Sequence, residues 1–92
     1  MYIAMLGTGA AFADPDRAQS GILVTLDNGA RYMFDCGAGT VRNMVAANAS
    51  PADVRMVFLT HLHHDHICDF PLFAITGWMW DRDNSPIVLG PK

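Results

Sequence analysis

Apolar residues recur along this chain in short runs, and the spacing within each run assigns it to an element. Residues 2–6 form an apolar run that Gly7-Thr8-Gly9 breaks, which predicts a short strand. Residues 21–26 are rich in β-branched and aliphatic side chains; Asp27-Asn28-Gly29 then supplies turn chemistry before Arg31-Tyr32-Met33-Phe34, so a β-hairpin is expected. Gly37 and Gly39 end the second hairpin strand abruptly. From Thr40, a predicted N-cap, to about Ala47 the period changes, with Val41, Met44 and Val45 on one face of a predicted helix. Ser50-Pro51-Ala52-Asp53 has the residues of a helix start and predicts one short turn. A strand over 55–59 follows, then a helix over 67–80 that tolerates Pro71 in its first turn, with Asp69 near its start where an anion is favoured. Residues 81–85 read as a polar turn and 86–89 as a last strand. The order β-ββ-α-β-α-β predicts an α/β fold with part of its layers absent.

Composition sharpens that last point. Of the 92 residues, 51% are hydrophobic and only 16% charged, against about a quarter charged in ordinary domains. A small domain has proportionally more surface to cover, so this balance predicts an apolar face packed against something further. The net charge of −3 comes from nine acidic and six basic residues, and no Lys/Arg cluster exists. This stretch by itself therefore lacks a nucleic-acid-binding surface, which leaves open a nucleic acid held by another segment. The most apolar window, residues 70–80, is too short to span a bilayer, and Met1 leads straight into the first strand without a basic leader. No membrane partner and a cytoplasmic location are expected. Cys36 and Cys68 are read as reduced, small hydrophobic residues.

The chemistry lies in Thr60-His61-Leu62-His63-His64-Asp65-His66, which holds all four histidines of the chain. Imidazole and carboxylate donors suit Zn²⁺ and are also accepted by Mn²⁺ or Fe²⁺. Residues two apart in an extended segment point the same way, so His61 and His63 can grip one ion; a turn then brings Asp65 and His66 to a second position. Two ions a few ångströms apart lower the pKa of a bridging water and clamp both oxygens of a displacement, which predicts a hydrolase. His64 should point away from both positions. Each ion still needs a further protein ligand, and no histidine remains outside the cluster.

Other features allow two readings. Gly7-Thr8-Gly9 after a strand raises a dinucleotide-binding turn, but Phe12 occupies the third glycine position and 13–17 is turn-rich, so tight turning at the mouth of a site is expected instead. Asp35 either caps backbone N–H groups at a strand end or accepts a hydrogen bond from a metal-bound histidine. Phe70, Phe73, Trp78 and Trp80 are core residues or the lining of a substrate pocket.

The sequence closely resembles the metallo-β-lactamase superfamily, and within it the ribonuclease Z-like branch. Five features carry the likeness: Leu6-Gly7-Thr8-Gly9; Arg17 and Ser20 as R-x-x-S; Phe34-Asp35-Cys36-Gly37 with Gly39-Thr40, similar to F-D-C-G-E-G-T; Thr60 to His66 as T-H-x-H-x-D-H; and Val88-Leu89-Gly90-Pro91. The resemblance implies that 1–92 is the N-terminal part of a four-layer αβ/βα sandwich binding two divalent metals, usually Zn²⁺. It implies His61 and His63 on the first ion, Asp65 and His66 on the second, Asp65 also handling a proton, and Asp35 behind the ligands. It further implies a homodimer, and a C-terminal remainder that supplies the other ligands.

Four departures bear on substrate. His64 replaces the glycine of H-x-H-G-D-H, residues 68–73 replace G-L-P-G-L-L, and Ala38 replaces the glutamate of F-D-C-G-E-G-T. The lysine of a P-x-K-x-R loop is also missing from 13–17. These departures predict a small ester, a phosphodiester or aryl sulfate, attacked by a metal-bridged hydroxide; tRNA 3′-end processing is the alternative. A non-catalytic metal-binding or partner-binding module is the reading from a different class, and the 92 residues alone are expected to be inactive.

Overall fold

The computed structural model describes residues 1–80 and 85–92. Residues 81–84, most of the expected polar turn, lie outside the described residues. Five strands form one sheet in the order β1-β2-β3-β4-β5: β1 Tyr2–Gly7, β2 Gly21–Thr25, β3 Arg31–Phe34, β4 Val54–Phe58 and β5 Ile87–Leu89. The first three pair antiparallel and the last three parallel. This division follows the connections: the loop 8–20 and the tight β2–β3 turn reverse the chain, whereas each parallel return runs through a helical crossover. The β2–β3 turn closes as expected, with Gly29 at φ 87° and its N–H donating to the Leu26 carbonyl at 2.9 Å.

The first crossover runs through α1, Thr40–Ala46, and a single 3-10 turn at Pro51–Asp53 that the Ser50 side chain caps by accepting from the Ala52 N–H at 3.1 Å. Two details differ from the sequence expectation. Thr40 is inside the helix; the N-cap is Gly39 in the left-handed region, and the Thr40 hydroxyl donates back to the Gly37 carbonyl at 2.8 Å. Val41 and Met44 are buried, but Val45 is exposed, because the buried face of the helix is a narrow stripe through Thr40, Val41 and Met44.

The second crossover was expected as one helix over 67–80 and is two: α2 His64–Ile67 and α3 Phe70–Met79. The break at Cys68-Asp69 has a tertiary cause. Asp69 makes no side-chain cap to its own helix; its Oδ2 accepts from the Val41 N–H at 3.0 Å, closing the start of α1 from across the molecule. Phe73 is fully buried with Phe70 packed against the core, while Trp78 and Trp80 are exposed, so the four aromatics divide.

Alternation along the strands separates two faces. Leu23, Met33 and Val57 point to one side, where they pack with Leu6, Cys36, Val41, Met44 and Phe73 into the buried core beneath the helices. The opposite side carries Ile22, Val24, Tyr32, Phe34, Met56 and Phe58, extended by register partners Ile3, Met5, Ile87 and Leu89. Every one is apolar or aromatic, and Ile3, Met5, Phe34, Ile87 and Leu89 are exposed. The excess of hydrophobic residues thus concentrates on one uncovered sheet face. Among the described residues, no helix is long and apolar enough to cross a membrane.

Gly7 continues β1 rather than turning it. A Cβ there would lie 1.8 Å from the Gln19 carbonyl oxygen, so the glycine is required by the close passage of the returning chain. Among the described residues no helix follows Gly9, and residues 8–19 form a loop closed by the Gly9 N–H on the Ala18 carbonyl at 2.8 Å.

Candidate metal centre

The site lies where β3 and β4 end side by side. Past Phe34 the chain enters the left-handed region at Asp35, φ 62°, a conformation that Asp tolerates better than most residues. The backbone is tied on both sides: Asp35 N–H donates to the Phe58 carbonyl at 2.8 Å, Cys36 N–H to the His66 carbonyl at 2.7 Å, and Asp69 N–H to the Cys36 carbonyl at 2.9 Å. Gly37 is squeezed against α2, where a Cβ would stand 2.2 Å from the Asp65 carbonyl oxygen. These contacts seat the start of α2, and therefore Asp65 and His66, against the end of β3.

The Asp35 side chain is buried and accepts from three donors. Thr60 N–H reaches Oδ1 at 2.8 Å, the Thr60 hydroxyl lies 2.8 Å from Oδ2, and His66 Nδ1 lies 2.7 Å from Oδ2. Burial works to raise this carboxyl, but the Thr60 amide, the His66 ring and the Thr60 hydroxyl outweigh it and hold Asp35 below the usual carboxylate range. The Thr60 hydroxyl, having given its proton to Asp35, can only accept from His61 Nδ1, 3.0 Å away. One carboxylate therefore places the Nδ1 proton on both His61 and His66, leaving each Nε2 lone pair free. Asp35 meets both readings, Oδ1 accepting the Thr60 backbone N–H and Oδ2 standing behind the His66 ring.

Three of the four rings lie close together, and the nearest two belong to different expected pairs. His61 and His63 have centroids 4.7 Å apart, and His61 and His66 4.0 Å apart. His66 Nε2 stands 3.4 Å from Asp65 Oδ2, and Asp65 is buried. Among the described residues, no three His, Cys, Asp or Glu side chains close around a single point. The chemistry of these donors, imidazole nitrogen with carboxylate oxygen, fits divalent cations of the Zn²⁺, Mn²⁺ and Fe²⁺ group. His64 stands apart, its Nε2 2.8 Å from the Ala11 carbonyl.

Two participants carried no sequence signal of their role. Thr60 is the relay between Asp35 and His61, and Gln19 is a buried amide that accepts from the Ala38 N–H at 3.2 Å and the Cys68 thiol at 3.1 Å. Both cysteines are free; Cys36 is fully buried and Cys68 exposed. Burial, opposed by the Thr40 hydroxyl and reinforced by the negative charges of Asp69 and Asp35, pushes the Cys36 thiol up to about 12.

The sequence model of the family described as "Anti-Pycsar protein Apyc1" matches residues 1–89. The chain belongs to that family. Its wider relationships place this Apyc1-family chain in the ribonuclease Z-like branch of the metallo-β-lactamase superfamily. A ribonuclease Z from Mycobacterium marinum is 39% identical over 92 residues, covering 97% of this chain and 33% of that protein. Another from Haloferax volcanii is 43% identical over 91 residues, covering 99% and 28%. Among solved structures, the short form of human tRNase Z superposes with a TM-score of 0.86 at 31% identity, over 97% of this chain and 34% of that one. The metallo-β-lactamase fold protein YhfI from Bacillus subtilis, at 22% identity, shares the fold with a TM-score of 0.80, over 96% and 37%. The Apyc1-family chain thus spans about a third of the length of the curated relatives it matches. Its sheet and helices are an α/β portion of the metallo-β-lactamase fold, as the resemblance implied.

Proposed function

We propose that this chain provides the first ligand set of a two-metal phosphodiester hydrolase, with His61 and His63 serving one ion and Asp65 and His66 the other. The observation that carries the proposal is the Asp35 carboxylate, which through Thr60 and directly fixes one histidine of each pair with its Nε2 lone pair free. Such a fixed tautomer has little use in a surface cluster and an evident one in ligation. Bound there, a pair of divalent ions, Zn²⁺ first and Mn²⁺ or Fe²⁺ next, would lower the pKa of a water and hold both oxygens of an in-line displacement. Asp65 lies beside the reacting centre in this reading and holds or passes a proton, its carboxylate 3.4 Å from His66 Nε2.

Relatives some three times as long, together with the lack of three converging donors among the described residues, support placing these 92 residues in the N-terminal portion of one domain. The remaining ligands then come from another segment of the domain, and the isolated 92 residues are inactive. A homodimer is part of the same family reading.

Relatives named ribonuclease Z and tRNase Z support RNA as the substrate better than an aryl sulfate or another small ester. A small phosphodiester remains as a second reading because Ala38 stands where that branch has glutamate, and residues 13–17 lack its lysine. The test is metal analysis of the full-length protein with assays on a pre-tRNA, a small phosphodiester, an aryl sulfate and a lactone. Two metals per chain with cleavage of either phosphodiester is the expected result. Fewer than one metal and no hydrolysis would sink the proposal, and hydrolysis of only the sulfate or lactone would reassign the substrate.

A further inference from the structure

We propose that Gln19 is a positioning residue for the metal centre: its side-chain amide holds α2, the helix that carries Asp65 and His66, at both ends. The inference rests on the reading of those two residues as ligands and goes beyond it, since Asp35 fixes a ring while Gln19 fixes the segment of backbone that presents it.

α2 spans only His64–Ile67, and its turn is closed by the Cys68 N–H on the His64 carbonyl at 2.9 Å. Helix nucleation is unfavourable, so a helix this short has no stability of its own and keeps its shape through outside ties. Its N-cap, His63, makes no side-chain hydrogen bond to it. Backbone bonds to Cys36 take the His66 carbonyl and the Asp69 N–H. The side chains of the first residue, His64, and of the C-cap, Cys68, make further ties, and both lead to Gln19.

Gln19 is buried, where a side-chain amide needs partners, and three are present. An N–H can donate only to the oxygen of an amide, so the Ala38 N–H, 3.2 Å from Oε1, decides which way the Gln19 amide points. The second lone pair of Oε1 accepts from the Cys68 thiol at 3.1 Å. Nε2 is thereby turned to the Ala11 carbonyl at 3.3 Å, and the same carbonyl stands 2.8 Å from His64 Nε2. One amide thus reaches the C-cap of α2 directly and its first residue through a single shared acceptor. The residue is anchored in turn, because the Gln19 N–H donates to the Ala38 carbonyl at 2.9 Å. A Cβ at Gly37 would meet the Asp65 carbonyl oxygen at 2.2 Å and Gln19 Cβ at 2.6 Å, so the Asp65 backbone and the Gln19 side chain converge on the same glycine. An apolar side chain of equal length would fill that volume and make none of the three bonds. Glycine, which the ribonuclease Z motif has in place of His64, could not make the tie at that end.

The experiment uses the full-length protein, stripped of metal in one arm and titrated with Zn²⁺ in the other. Without metal, Q19M, which keeps the length of the side chain and removes its amide, should speed hydrogen exchange at the His66 and Cys68 N–H groups about tenfold, with the amides of β2 and β3 unchanged. C68A should act in the same direction, and C68S, which keeps a donor, should recover the protection. The double variant Q19M/C68A should exchange no faster than Q19M, because the Cys68 tie acts only through the amide. In the second arm, competition with a chromogenic chelator should show Zn²⁺ bound about tenfold more weakly by Q19M than by the wild type. Unchanged exchange in Q19M overturns the proposal, and so does exchange raised equally in β2 and β3, which assigns Gln19 to general packing. A loosened α2 with wild-type affinity for Zn²⁺ overturns the positioning role. If the wild type itself binds no Zn²⁺, the two-metal reading fails on its own, and the exchange arm still decides whether Gln19 holds α2.

Discussion

Asp35 concentrates more of the site than any ligand does. Its two oxygens take the Thr60 amide, the Thr60 hydroxyl and the His66 ring, and the hydroxyl passes the orientation on to His61. Replacing it by alanine should cost roughly 10- to 100-fold in metal affinity of the full-length protein, read by competition with a chromogenic chelator, because both rings lose their fixed tautomer. An affinity equal to wild type would mean the relay is incidental. The two thiols offer a second check. Cys36 is fully buried with its thiol at about 12, so iodoacetamide near pH 8 should modify Cys68 and spare Cys36 in the folded protein, as peptide mapping would reveal. The sign of the linkage follows: the unfolded chain releases the Cys36 proton near its ordinary value of 9.0 while the folded chain keeps it to about 12. Stability present below pH 9 should therefore decline as pH rises across that window. Of these residues, the proposed ligands were legible as types and spacing, whereas Thr60 and Gln19 were not, since a hydroxyl or amide acquires a role only from what folds beside it.

At the scale of elements, the hydrophobic period predicted the five strands to within a residue or so, because alternation along a half-buried strand is written locally. It failed at helix ends, where caps come from afar. Asp69 reads as the anion at the start of its own helix, yet it closes α1 across 28 residues of sequence, and the chain breaks into α2 and α3 around it. Asp69→Ala should therefore destabilise the protein by about 1 kcal/mol, the usual worth of an N-cap, lowering the melting temperature by a few degrees. Asn at this position should recover much of the loss, since its side-chain oxygen still accepts from the Val41 N–H. An unaltered melting temperature in D69A would mean water replaces the cap.

For the molecule as a whole, the governing fact is the bare sheet face. Ile3, Met5, Phe34, Ile87 and Leu89 are exposed there beside Phe58, whose ring stacks on Phe34 at 4.9 Å; on α3, Leu72, Ile75, Trp78 and Met79 are exposed as well. Apolar patches of this extent recruit a cover, and among the described residues β1 and β5 each lack a strand neighbour on one side. The 92 residues produced alone should bind a hydrophobic dye strongly and sediment as an associated species. A monomer with a cooperative melt would contradict this.

The donor types gathered in residues 60–66, the strand pattern and the surplus of apolar surface were determined by the sequence itself, because each depends on residue type at short spacing. Only the tertiary structure decided that Asp35 orients two histidines, that Gly7 and Gly37 are needed for close backbone passage, that Asp69 caps a distant helix, and that His64 holds the Ala11 carbonyl. Those contacts join residues 12 to 53 positions apart, and no local period encodes a partner that only the folded chain brings within 3 Å.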